Sequence, residues 1–236
     1  MPPVNAFSSP PVLPDSPLGS SAAPKAKTKP LLRGVVHQVC FFLAIPAVYA
    51  LVAASKPGVP QLAAFVYGLS LLLLLGTSAL YHRRTWGPLG RARMKNLDHS
   101  MIFVLIAGSY TPICLYGVAG LRGLILCTVL WVGAALGIAQ TLFWPTAPRW
   151  LHVGIYVVLG WAGAAGLDAE FLRLGALGVA LHVFGGVLYT LGALAYARKR
   201  PDPFPTVFGY HEIFHVLVVL ACGCLFEVVR RSLSLA

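Results

Sequence analysis

Residues 60–82 read PQLAAFVYGLSLLLLLGTSALYH, with no Asp, Glu, Lys or Arg in the run. A helix needs about 20 predominantly apolar residues to cross the hydrocarbon core of a bilayer, and this stretch supplies them. Its end is polar: Ser78 and His82 stand one helical turn apart and share a face. Comparable runs recur at residues 34–55, 99–121, 123–143, 150–167, 174–197 and 213–226. The last is short and flanked by Glu212 and Glu227, so it spans only if polar residues are tolerated near its ends. Ionisable residues inside a span are usually functional, so the seventh run draws attention to itself.

Composition agrees with these runs. The chain has 236 residues, 58% of them hydrophobic and 11% charged, with a mean hydropathy of +0.77. A soluble domain carries about 25% charged residues, so an ordinary soluble enzyme, a disordered chain and a coiled coil are excluded. Five cysteines, Cys40, Cys114, Cys127, Cys222 and Cys224, lie inside apolar runs and make no disulfide framework. The expected architecture is all-α: a polytopic membrane protein with a seven-transmembrane-helix bundle at residues 33–236. Residues 1–32, rich in Pro, Ser and Ala and closing on Lys25, Lys27 and Lys29, read as a disordered, basic cytoplasmic tail.

The net charge of +11 has a topological explanation. With the N-terminus inside, the cytoplasmic cations are Lys25, Lys27, Lys29, Arg33, Arg83, Arg84, Arg91, Arg93, Lys95, Arg149, Arg198, Lys199 and Arg200. Only Lys56, Arg122, Arg173, Arg230 and Arg231 fall outside. This asymmetry predicts a cytoplasmic N-terminus and an outer C-terminus in the cell (inner or plasma) membrane. The expected partners are membrane lipids, including a lipid substrate or ligand inside the bundle, and no nucleic acid.

The same topology sorts the polar residues by depth. Ser78 and His82 close helix 2 on the cytoplasmic side, Asp98 opens helix 3 there, and His211 and His215 open helix 7 on one face. Ser78 and His215 each lie about 6 Å deeper than the partner one turn away. Three imidazoles beside a carboxylate suit a divalent metal, and zinc fits best, with three protein nitrogens and water in the fourth position. The competing reading is a hydrogen-bonded polar cluster at the water boundary.

These residues also carry a resemblance. Ser78-Ala-Leu-Tyr-His82, Leu97-Asp98-His99-Ser100-Met101-Ile102 running into Ala107-Gly108-Ser109-Tyr110-Thr111-Pro112, and His211-Glu-Ile-Phe-His215 resemble the hemolysin III family, the bacterial branch of the progestin and adiponectin receptor group. The resemblance covers the chain from about Arg33 onward. It implies seven helices, an inner N-terminus, and zinc held by His82, His211 and His215, with Asp98 and Ser78 beside the metal's water. It also implies kinship with intramembrane hydrolases that include alkaline ceramidases. The family name derives from a reported haemolytic activity.

One position departs from the family's common pattern. Glu212 turns helix 7 into H-E-x-x-H, the zinc metalloprotease signature in which the Glu is a general base. A third ligand is then needed, and Glu227 lies about 18 Å along the helix from His215, while Asp168 falls at the outer side. His82 and Asp98 complete the site without strain, so the match reads as incidental. His37 is expected to be a satisfied core histidine near the cluster, His99 to point to a neighbouring helix, and His152 and His182 to pack or hydrogen-bond. Pro112 bends helix 3, and Thr111 can satisfy the freed backbone.

The function expected from this arrangement is hydrolysis of an amide or ester in a lipid. Asp98 accepts the water proton and Ser78 donates to the water or the developing oxyanion. A sensor of membrane state with a structural zinc is the alternative from another class. A pore-forming cytolysin ranks below both, because no span shows a regular polar stripe.

Overall fold

The computed structural model describes residues 29–236. Most of the stretch read as a tail, residues 1–28, lies outside the described residues. Among those described the regular structure is helical, without strands: α1 Val35–Ala54, α2 Val59–Arg83, α3 Pro88–Pro112, α4 Gly120–Phe143, α5 Arg149–Ala162, α6 Leu167–Arg198 and α7 Tyr210–Leu233. Six helical segments are long and apolar enough to cross a membrane: Val35–Ala54, Val59–Arg83, Pro88–Val118, Gly120–Phe143, Arg149–Arg198 and Tyr210–Leu233. The protein is therefore a multi-pass membrane protein. All five cysteines are free thiols, as their placement in apolar runs predicts.

Local chemistry accounts for the boundaries. Proline occupies the first turn of α2 and of α3, where its missing N–H has no partner to lose. Further along, Pro112 does not stop its helix. The chain continues as a widened turn over Ile113–Val118, in which the Ala119 N–H reaches back five residues to the Cys114 carbonyl at 2.9 Å. A π-type turn of this kind absorbs the register lost at a proline that can neither donate nor tolerate the carbonyl four residues back.

Between Arg149 and Arg198 the path is less simple than a single helix. A 3-10 turn at Gly163–Gly166 joins α5 to α6, and within α6 Gly175 adopts φ 71°, ψ −176°. That conformation is essentially open to glycine alone. It breaks the helix, and the carboxylate of Glu170 consequently meets the ring of His182 at 2.7 Å. Twelve residues of unbroken helix would separate the two by about 18 Å.

Packing follows the membrane pattern. Tyr67, Phe103, Ile113, Leu130, Val228 and Val229 are fully buried, while Phe143, Leu172, Tyr49 and Leu43 stand outward. Large apolar side chains exposed around a bundle mark a face made for lipid. α7 packs along α6 and touches α1, α2 and α3; α2 packs between α1 and α3. The N-terminal ends of α1 and α7 and the C-terminal end of α2 therefore meet. Over them the backbone N–H groups of Leu31 and Leu32 donate to the Thr206 and Val207 carbonyls at 2.9 and 3.2 Å, tying the start of the bundle to the loop before α7.

Candidate metal centre

The end of α2 supplies His82, and the first turns of α7 supply His211 and His215. One ring nitrogen from each falls within 4.8 Å of the others. The Nε2 atoms of His82 and His211 approach to 3.1 Å. His82 and His215 are buried and His211 nearly so. The i, i+4 spacing on α7 puts both its imidazoles on one face, as the sequence pattern predicts. Asp98 from α3 brings Oδ2 to 3.9 Å from His82 Nε2, and Ser78, one turn deeper on α2, lies beside the Asp98 carboxylate. All five residues named from the sequence thus converge, and the histidine trio is able to hold a metal ion.

Backbone and neighbours hold the trio in place. Gly34, at the start of α1, has φ +80°, and a Cβ built on it would stand 2.6 Å from the His82 Cβ. Only a glycine lets α1 begin this close to the end of α2. His37 stacks on His215 with ring centroids 3.9 Å apart and planes inclined by 10°. It differs from a satisfied core histidine: neither ring nitrogen has a hydrogen-bond partner among the described residues. Its ring covers one face of the His215 imidazole.

Glu212 has other work than that of a general base. One carboxylate oxygen accepts the Gly209 N–H at 2.9 Å, closing the N-terminus of α7, and the other pairs with the Arg33 guanidinium. A Glu at the third helical position reaching back to the capping residue is a known helix-start device. Both oxygens are engaged, and the H-E-x-x-H pattern is explained by capping.

The other histidines fall where expected. His99 Nδ1 donates to the Lys95 carbonyl at 2.7 Å and its Nε2 faces Tyr196 on α6. His152 stands 6.4 Å from His99, centroid to centroid. His182 is hydrogen-bonded at both nitrogens, to Glu170 Oε2 at 2.7 Å and to the Tyr110 hydroxyl at 2.8 Å. Tyr110 also donates to the Gly160 carbonyl at 2.7 Å. Its single hydrogen lies on that bond, so the hydroxyl oxygen accepts from His182 Nε2. Glu170, fully buried, was missed in the sequence because its contact depends on the break at Gly175. The one available signal was an acidic residue in the short charged segment between Asp168 and Arg173 that separates two apolar runs.

A cavity of about 830 Å³ joins these groups. It opens at Lys29 and Arg33, passes His82, Asp98, His211 and His215, and runs between apolar walls to Tyr110 and His182. Its volume lies within the usual range for small-molecule sites.

The sequence profile of the family described as "Haemolysin-III related" matches residues 25–226. The chain belongs to that family. Among haemolysin-III related proteins, the hemolysin-3 homolog of Bacillus subtilis (strain 168) is 31% identical over 199 residues, covering 83% of this chain and 90% of its own. Hemolysin-3 of Bacillus cereus is 31% identical over 199 residues, covering 83% and 88%. The adiponectin receptor protein of Drosophila melanogaster is 29% identical over 167 residues, 64% of this chain and 38% of its own. Membership in the haemolysin-III related family agrees with a multi-pass protein of the cell membrane and with the motifs that form the trio.

Proposed function

We propose that this protein is a zinc-dependent hydrolase acting on an amide or ester bond of a lipid at the cytoplasmic side of the membrane. The observation that carries it is three converging imidazole nitrogens beside Asp98 and Ser78 in a cavity that also has apolar walls. The donor set fits zinc, which takes three histidines and leaves a fourth position open in catalytic sites. His82, His211 and His215 hold the ion; when bound it acts as a Lewis acid and draws the pKa of water toward about 7. Asp98 accepts the proton of the attacking water. Ser78 donates its O–H to the oxygen on which negative charge develops as the carbonyl becomes tetrahedral. The carbon–nitrogen or carbon–oxygen bond then breaks, and the proton held by Asp98 passes to the leaving atom. The apolar walls seat the acyl chain and exclude bulk water.

The accompanying topology is seven spans with the N-terminus inside and the C-terminus outside, Arg149–Arg198 being crossed twice with the turn at Gly175. The cation asymmetry and the Glu170–His182 contact support it.

Metal content of the purified protein, followed by a lipid-hydrolysis screen, tests the reading. About one zinc per chain, lost in His211→Ala/His215→Ala, together with turnover that Asp98→Asn lowers by about 10²-fold or more, is the expected result. Zinc-loaded protein with no turnover on ceramides, phospholipids or acyl amides overturns the enzyme. A second reading, a membrane-state regulator with a structural metal, is favoured by one observation: α2 and α7 touch over a short stretch, and the trio ties them there. Under it the histidine variants lose thermal stability and Asp98→Asn is silent.

A further inference from the structure

The cations at the cavity mouth fall into two groups. Arg84, Arg93 and Arg198 lie in the same cytoplasmic-side segments but do not line the cavity, whereas Lys29, Arg33, Arg91, Lys95 and Lys199 do. Membrane topology needs positive charge near helix ends; it does not need that charge turned toward a cavity. Arg33 is neutralised by Glu212, and Arg91 lies over the Tyr81 ring at 5.8 Å. Lys29, Lys95 and Lys199 have no carboxylate partner among the described residues. Partial desolvation, followed by the positive charges of Arg83, Arg33 and Arg91, lowers the Lys29 pKa from its ordinary value although the residue is exposed. An anion placed there relieves that repulsion.

Along α3 the cavity face has a fixed order: Arg91, Lys95, Asp98, Ile102, Leu105 and Ser109. At 1.5 Å per residue, Lys95 stands about 4.5 Å and Arg91 about 10 Å on the mouth side of Asp98, while the apolar residues run the other way. A ligand matching that order has an oxyanion, then a bond beside the histidine trio, then a hydrocarbon chain. A free phosphate or nucleotide leaves the apolar walls formed by Leu74, Ile102, Leu105 and Val218 unmatched.

We infer that the ligand of this cavity is a single-chain anionic amphiphile whose phosphate or carboxylate headgroup is held by Lys29, Arg91, Lys95 and Lys199, with its chain running inward past the histidine trio. The inference rests on the lipid-hydrolase reading and names the substrate class of the same site.

The test uses the full chain, zinc-loaded, in a neutral detergent, with ligand-induced thermal stabilisation as the readout. The probes are one acyl chain carrying a phosphate, a phosphocholine or an uncharged glycerol headgroup, and inorganic phosphate alone. The expected result is half-maximal stabilisation by the phosphate-headed amphiphile at a concentration about tenfold or more below that of the glycerol form, the scale of one charge-assisted contact. Arg91→Gln/Lys95→Gln/Lys199→Gln abolishes that preference. The charge-matched set Arg84→Gln/Arg93→Gln/Arg198→Gln and the charge-conserving set Arg91→Lys/Lys95→Arg/Lys199→Arg keep it. Equal binding of charged and uncharged headgroups overturns the inference, as does an equal loss in the charge-matched set. Saturation by inorganic phosphate as tightly as by the amphiphile overturns its lipid part. Binding of none of the amphiphiles removes the lipid-hydrolase reading itself. If the neutralised triple variant fails to fold, the headgroup series on wild-type protein decides.

Discussion

Gly34 shows how much of the candidate centre hangs on one residue without a side chain. It holds φ +80° at the start of α1, with the His82 Cβ where its own Cβ would go. Gly34→Ala meets a left-handed backbone cost of about 1–2 kcal/mol and displaces His82 as well. The expected outcome is a lower melting temperature and a metal content that falls on dialysis while wild type retains its ion. Gly87→Ala, at φ −63° and with nothing within 4 Å of an added Cβ, serves as the control and leaves both measurements unchanged. Equal metal retention in the two variants refutes a positioning role for Gly34. At this scale the trio itself was legible in the sequence, because helix ends and an i, i+4 spacing fix depth and face. The stacking of His37 on His215 was not, since it is decided by how α1 leans on α7. The cap formed by Glu212 was legible in principle, as a glutamate three residues after Gly209 at a helix start.

Among the elements, the break in α6 has consequences that reach beyond its own backbone. Gly175→Ala forces an L side chain into a conformation costing about 1–3 kcal/mol, and Glu170→Ala leaves His182 without its buried partner, at a cost of about 3–5 kcal/mol. The pair exists because the chain turns at Gly175, so the two changes are coupled. Chemical denaturation of both single variants and the double variant is expected to give a double cost at least ~0.5 kcal/mol smaller than the sum, beyond the usual additivity error for independent sites. Strict additivity refutes the link between the break and the network. The apolar runs predicted most of the helices, since charge-free length is a local property. They did not predict that α3 would carry on through a π-type turn after Pro112, or that Glu170 would be buried. Both depend on backbone conformations chosen by packing against α4, α6 and α7.

For the whole molecule, parity connects the site to the topology. His82 ends α2, and His211 begins α7, with their Nε2 atoms 3.1 Å apart. The two helix ends therefore share one side of the membrane, which requires an even number of crossings between them. Pro88–Val118 and Gly120–Phe143 account for two, so Arg149–Arg198 contributes two crossings or none. Its length and hydropathy, and the helix break at Gly175, favour two. On the proposed path the chain crosses seven times and its ends lie on opposite sides, the cation asymmetry favouring an outer C-terminus. Arg230 and Arg231 run against that asymmetry, but both pair with Glu227, at 2.7 Å each, which cancels part of their charge. Ala236→Cys and Arg93→Cys, labelled in intact cells with a membrane-impermeant thiol reagent, read the outcome directly. Labelling of Ala236→Cys alone is expected, with Arg93→Cys reacting only after permeabilisation. The five native cysteines lie within helices and in the turn after Pro112, and wild type sets their background. Protection of both positions in intact cells means that the termini share a side. In that event the seven-span path is excluded, and the metal centre falls with it.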